Sequence, residues 1–276
     1  MTSQPIISGD VVSRQWPVTV KHYWFDQRPA GTAMPDIAKL HSIPAPLKNA
    51  RNNESWTLLI DLSATETELM SRLSSNTRTQ VRRAEREGIS IERLNCREAG
   101  RLDEFAHFWS RFSESKADVR SILNISVQLH MLQRMANASI LELSRAVGPA
   151  GEILAYHVII VAGERARVHH SASLFRIEGL NSAQRHLIGR ANRFLRWQNI
   201  LYYKRYGFTQ FDMGGWYAGN EDDSLLRVNA FKEEFGGQPV CEYDAMIACT
   251  MIGRWALAVQ ELLRKGLHGR HPKTME

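Results

Sequence analysis

Three strand-like runs close together, followed by one long helical stretch, constrain the fold of this chain most. The runs are Ile140–Ala146, Ile153–Ala162 and Ala166–Leu174, and their short links hold Gly148, Gly151 and Gly163. Links that short join neighbouring strands as antiparallel hairpins. From about Ser182 to Tyr206, Leu187, Ala191, Phe194, Leu195, Leu201 and Tyr202 recur at helical spacing, and Gly207 ends the stretch. Phe208–Met213 then reads as another strand. A meander that returns through one helix to a further strand makes a mixed sheet with helices on its faces, an α+β mixed-sheet variant of the α/β class.

The flanks extend this pattern. Val18–Trp24 alternates as a strand, and Trp56–Leu62 reads as a buried one, with Ser63 positioned to cap a helix from about Glu66 to Glu87 that stops at Gly88. Ile89–Leu94 reads as a strand, Leu102–Lys116 and Ser126–Ala136 as helices, Pro239–Met246 as a strand and Thr250–Lys265 as a last helix. Phe105, Phe108, Trp109 and Phe112 share one helix face, which suits core packing or a ligand ring. The implied organisation is a partly irregular N-terminal extension over 1–55, a strand–helix segment over 56–88, a main domain over 89–249, and a C-terminal helix with a basic tail over 250–276.

Composition sets limits. The 276 residues are 43% hydrophobic and 23% charged, ordinary for a globular protein able to bury a sizeable core. A formal charge of +6 and a pI near 9.4 point to an anionic partner such as a phosphorylated ligand, anionic lipid or RNA, or else to a basic surface without specific meaning. Cys96, Cys241 and Cys249 show no CxxC spacing, which argues against a disulfide framework or zinc site and fits a reducing cytoplasm. Nothing reads as a signal peptide, and the nearest apolar run, Ala245–Leu257, is interrupted by Thr250, Gly253 and Arg254. The expectation is a cytoplasmic protein, compatible with peripheral contact at the inner face of an anionic membrane.

Chemistry concentrates between Phe211 and Gly237. Gly214-Gly215 ends the Phe211-Asp212-Met213 strand, Phe231-Lys232 follows, and Gly236-Gly237 makes a second pair. Glycine allows turns and close approaches that a Cβ forbids, so two such turns flanking a lysine suit a polar or anionic ligand. Gly236-Gly237 reads equally as a helix C-cap, and Asp212 as a base or as a cap of the first turn. Arg78, Arg82 and Arg86 fall at i, i+4 and i+8, a stripe that suits either phosphate recognition or a solvated salt-bridged face. The start of the long helix, GLNSAQRHLIGRA, offers a helix N-terminus to a pyrophosphate. In Val168–Ser173, alternation sends His169 and Ser171 to one face and His170 to the other, so the paired histidines do not converge on a metal. His170 could serve as a general base.

Three ordered blocks carry a resemblance: WTLLIDLSATETELMSRLSSNTRTQVRRAEREGISIE, ANRFLRWQNILYYKRYGFTQFDMGG and AFKEEFGG. They resemble the FemAB family of peptidoglycan-bridge aminoacyltransferases within the GNAT superfamily, over about residues 56–245. The resemblance implies a GNAT-like fold and amide-forming transfer, without a covalent enzyme intermediate, to an amine on an anionic small molecule or a cell-envelope precursor. The donor would be aminoacyl-tRNA or acyl-CoA, with no permanently bound cofactor, no metal and no DNA partner. Lys232 would stabilise charge at the transfer site, with Asp212 and His170 as further catalytic candidates. Phe231, Gly214, Gly215, Gly236, Gly237, Arg78 and Arg82 would contact substrate. A superfamily-type pyrophosphate loop would fall on His186–Ala191, with Gln184, Arg185, Gly189 and Ala191 as the donor-binding candidates; a plain helix with a packing glycine is the alternative. The oxyanion donor would be a backbone N–H at a strand bulge near His170–Ser173. Two other functions stay open: a dedicated aminoacyl-tRNA-dependent peptidyltransferase, and an inactive GNAT-like module that binds a nucleotide-sugar or protein.

Overall fold

A computed structural model of the chain describes residues 11–15, 18–26, 34–114 and 125–268. The rest of the N-terminal extension, Lys116 at the end of an expected helix, and the basic tail from Gly269 lie outside the described residues. The strands are β1 (Val11–Gln15), β2 (Val18–Trp24), β3 (Ile37–Ile43), β4 (Arg51–Asp61), β5 (Ser90–Leu94), β6 (Leu141–Val147), β7 (Ile153–Ala162), β8 (Arg165–Ser173), β9 (Gln210–Gly215) and β10 (Gln238–Ala248). The helices are α1 (Glu66–Arg72), α2 (Ser75–Arg86), α3 (Arg101–Glu114), α4 (Ile125–Asn137), α5 (Ser182–Arg205), α6 (Asp223–Glu233) and α7 (Met251–His268). Among the described residues no helix is long and apolar enough to cross a membrane.

The chain divides into two compact units, one containing Ser55–Cys241 and the other built from Asp10–Glu54 and Glu242–Glu276. This differs from the sequence division in two ways. The 56–88 segment belongs to the same unit as the meander, and the N-terminal extension is completed by the C-terminal part of the chain.

In the larger unit the strand order is β4-β9-β8-β7-β6-β5. β5 to β8 form the expected antiparallel meander, with Leu143 opposite Val158 and His157 opposite Ser171. β7 is buried along nearly its whole length, as a strand covered on both faces must be. α5 is the crossover that returns the chain to β9, which lies parallel to β8. It buries Ile188, Phe194, Leu195, Trp197 and Ile200 on the side that faces the core.

The helix expected over Glu66–Glu87 is broken. Leu73 adopts an extended ψ of 143°, and Ser74 starts a new helix by accepting from the Thr77 N–H at 3.1 Å. The Ser74 N–H itself donates to the Glu234 carbonyl at 2.8 Å, so a distant segment completes the break. The first helix is capped by Thr65, in a reciprocal box with Glu68, and not by Ser63, whose hydroxyl bonds Asp61 at 2.8 Å.

In the smaller unit the order is β1-β2-β3-β10, antiparallel except for the parallel β2–β3 pair. β1, which pairs with the adjacent β2, was not anticipated; nor was β3, whose partners lie across a proline-rich stretch and some 200 residues away. Val18, Val20 and Ile37 form a small core against which Ala256 and Leu257 of α7 pack.

The caps give a direct test. Thr65→Ala and Ser74→Ala should each cost about 1 kcal/mol in urea unfolding, whereas Ser63→Ala should stay within about 0.5 kcal/mol. A Ser63 loss as large as the other two would contradict this capping scheme.

Candidate active site

β8 and β9 run together at three positions, Arg165 opposite Gln210, Ala166 opposite Phe211 and Arg167 opposite Asp212. Among the described residues they pair no further. β8 stays with β7 up to Ser173, while β9 stays with β4 up to Gly215. The two parallel strands therefore part toward their carboxyl ends, where open α/β sheets place ligands. At the point of parting β8 carries a bulge: His170 faces Val158 and Val168 faces Ile159, leaving His169 as the extra residue. A bulge twists the strand and re-aims its backbone groups. It lies one residue before the segment expected to hold one.

Asp212 is fully buried and anchors this opening. Its carboxylate accepts from Thr57 of β4 and from Arg165 of β8, the latter through Nε at 3.1 Å and through Nη2. Arg167 lies at 3.6 Å, and the Gly214 N–H donates to Oδ1 at 2.8 Å. Both oxygens are committed, so the expectation of Asp212 as a general base is corrected to that of a clamp that also caps the Gly-Gly turn. Gly214 has φ +78°, and a Cβ there would sit 2.6 Å from the Val168 carbonyl oxygen, so the turn requires glycine. Gly215 has open space around it.

Lys232 comes to this turn from α6. Its buried ammonium donates to the carbonyls of Gly214, at 3.0 Å, and Gly215. Burial, with help from the nearby Arg196 cation, pulls its pKa from 10.5 to about 8. The lysine and the first glycine pair, 17 residues apart in sequence, thus form one structure.

Arginines of α5 complete the wall. Arg196 is buried, donates to the Ser171 hydroxyl of β8 at 3.1 Å, and has its pKa lowered to about 10 by burial. Its Nε has no hydrogen-bond partner among the described residues. The Phe231 ring lies 5.0 Å from the Arg193 guanidinium and 5.6 Å from that of Arg196, cation–π distances that fix both. Arg193 also pairs with Glu234 at 3.0 Å. Arg165, Arg167 and Lys232 gather about the Asp212 carboxylate, with Arg196 beside the lysine, an excess of positive charge that suits an anion or a developing oxyanion.

The other candidates lie elsewhere or are otherwise engaged. His170 is half-buried, its ring 4.8 Å from Trp109 and 6.2 Å from Phe105, and burial lowers its pKa to about 4. That makes it too weak a base for neutral pH. Phe105 and Phe108 pack on Tyr156, the core role of their stripe. Arg78 donates to the Ser71 and Leu73 carbonyls at 3.1 Å and stitches the α1–α2 break, while Arg82 is exposed; the stripe does not act as one surface. Gly236 ends α6 with φ +79° and approaches Arg72, and a Cβ on Gly237 would meet Leu58 at 1.9 Å. This pair is a helix terminus packed on α1 and β4, the C-cap alternative. Gly236 lines a cavity of about 730 Å³ with Asp61, Arg72 and Gln210, at the opposite end of β9 from the Gly214 turn.

At the α5 N-terminus, Asn181 and Gln184 cap each other at 2.9 Å, and Arg185 donates to the Phe175 carbonyl at 2.7 Å. Gly189 makes ordinary contacts near 3.9 Å and Ala191 is fully buried. Gln184 also borders an apolar cavity of about 470 Å³ lined by Phe108, Leu154, Leu174, Ile177 and Leu187.

Sequence reasoning missed Arg165, Arg167, Arg196, Ser171 and Thr57. Arg165 and Arg167 alternate on one strand face, and Arg190, Arg193 and Arg196 recur at spacing three on one side of α5. Both patterns were readable, but neither shows its partner.

No protein-family profile matches the chain, and no curated protein matches it by sequence. Among solved structures it is similar to FemX, at a TM-score of 0.60 and 13% identity over 84% of this chain and 82% of that one. It is more distantly similar to L-PGS from Bacillus licheniformis (TM-score 0.47, 14% identity, 85% of this chain and 74% of that chain). A tandem GNAT protein from the clavulanic acid biosynthesis pathway matches at a TM-score of 0.36 and 13% identity, over 76% and 63% of the two chains. Of these three, the FemX match is close enough to establish the fold. The chain has the FemX-type mixed α/β fold that its three sequence blocks implied.

Asp212→Asn should unmake the clamp, leaving buried guanidinium groups under-neutralised. Breaking one side of a buried ion pair costs about 3–5 kcal/mol, measurable by urea unfolding. A loss below about 1 kcal/mol would show that the carboxylate is dispensable to the fold. In the turn, Gly214→Ala should impair folding and Gly215→Ala should not; equal melting temperatures for the two variants would refute the geometry.

Proposed function

We propose that this protein is an N-acyltransferase of the FemAB-like type, joining an acyl or aminoacyl group to an amine on an anionic acceptor. The observation that carries this reading is the Lys232 ammonium held on the Gly214 and Gly215 carbonyls, beside the place where β8 and β9 part. A neutral amine attacks the acyl carbonyl, and the resulting oxyanion needs preorganised donors. The remaining N–H of Lys232 and backbone N–H groups at the His169 bulge are the donors proposed. On collapse the bond to the leaving group breaks, and that group carries away the proton lost by the amine. Asp212 and His170 take no part in proton transfer; Asp212 holds the cations in place.

An aminoacyl-tRNA donor is favoured over acyl-CoA. The reciprocal Asn181–Gln184 cap and the Arg185 bonds engage groups at the α5 N-terminus that a pyrophosphate would use. The positive charge of the chain suits tRNA and a phosphate-bearing envelope precursor alike.

Thermal-shift measurements with aminoacyl-tRNA, acyl-CoA, a nucleotide-sugar and no ligand, run beside a labelled transfer assay, test the reading. Stabilisation by aminoacyl-tRNA with transfer is expected. Stabilisation by acyl-CoA would reassign the donor, and binding of a nucleotide-sugar without transfer of either group would mark an inactive module.

Lys232→Ala should lower transfer about 100- to 1000-fold while the fold persists, as expected for loss of one electrostatic stabiliser. The pH profile gives the sign. With a folded pKa of about 8 the ammonium is lost as pH rises, so wild-type kcat/KM should fall above about pH 8. In Lys232→Arg that limb should vanish. A wild-type rate that keeps rising through pH 9.5 would refute the ammonium's role (about 1.5 pH units beyond the pKa, where roughly 3% remains charged).

A further inference from the structure

α7 of the smaller unit presents a second feature, independent of the transfer reading. Its inner face is settled by contacts: Ala256 and Leu257 pack on Val18, Val20 and Ile37, and a Cβ on Gly253 would sit 2.0 Å from the Asp36 carbonyl oxygen. The opposite face carries Met251, Ile252, Trp255, Val259, Leu262 and Leu263, each between 50% and 71% exposed. At 100° per residue these six positions fall on one continuous stripe. Scattered exposed apolar residues are ordinary, but a contiguous stripe marks an interaction surface.

We propose that α7 is an interfacial helix that lies in the surface of an anionic lipid bilayer, apolar stripe inward. Its 18 residues span about 27 Å, and it is not apolar enough to cross a membrane, so it would lie in the plane. Charge selects the occupant. Glu261 is held by Arg51 at 2.5 Å, which neutralises the acid on the helix. Arg254 is exposed, and the sequence continues through Arg264, Lys265, Arg270 and Lys273 before the next acid, Glu276. A basic segment beside an apolar stripe bearing tryptophan is complementary to an anionic leaflet. The same charge opposes a second copy of this +6 chain on that face.

The test is co-sedimentation of the full chain with phosphatidylcholine vesicles and with phosphatidylcholine–phosphatidylglycerol vesicles, at low and high salt. The wild type should pellet with the anionic vesicles, less so with the neutral ones, and less as salt rises. The double variant Trp255→Glu/Leu262→Glu, at positions 71% and 70% exposed, should keep its melting temperature. Its affinity for anionic vesicles should fall at least about tenfold. No pelleting of the wild type, or equal pelleting of the variant, overturns the proposal. So does a wild-type dimer in light scattering that the variant abolishes, which would assign the stripe to a second copy. Equal, salt-insensitive binding to both vesicle types would refute the anionic selection. None of these outcomes bears on the transfer assay.

Discussion

The buried carboxylate of Asp212 is the interaction on which the larger unit's site depends. It gathers Thr57 from β4, Arg165 and Arg167 from β8, and the Gly214 N–H of its own strand. A buried charge in this setting is tolerable because its lone pairs are met by donors and its charge by cations. The clamp holds β8 and β9 together where they still pair. Beyond it, nothing in their register binds them, and they separate. The opening is thus the place where a strong local tie ends.

The position of Lys232 follows from the same arrangement. Asp212 caps the turn through Gly214, which leaves the Gly214 and Gly215 carbonyls available as acceptors for the ammonium. Asp212 also raises the lysine's pKa while Arg196 and Arg167 lower it, with burial as the larger cause of its net depression. Stabilising one cation among others at the end of α6 is costly, and the two carbonyls partly offset that cost. Such preorganised positive charge, shielded from water, acts most strongly on an anion that forms beside it.

Much of the fold was legible in the sequence because its signals are local. Meander strands β6 to β8, helix α5 and strand β9 are set by apolar period and by glycine-bearing links, and their boundaries shift by at most a few residues. The break between α1 and α2 was not legible, because its Ser74 N–H is satisfied by the Glu234 carbonyl, 160 residues away. β3 escaped for a similar reason: its partners are β2 and a strand near the other end of the chain.

The sequence by itself determined the mixed sheet, the crossover helix and the presence of a glycine turn beside a lysine, since each follows from spacing and conformational preference along the chain. Tertiary structure decided what each of these does. Asp212 became a clamp and not a base because Arg165 and Arg167 arrived from another strand. Gly236 and Gly237 became packing residues because Arg72 and Leu58 approach them. The chemistry of a carboxylate, a lysine or a glycine is written in its type, but its proton affinity and its role depend on burial and on neighbours. Those neighbours are set by long-range pairing, which local sequence does not encode.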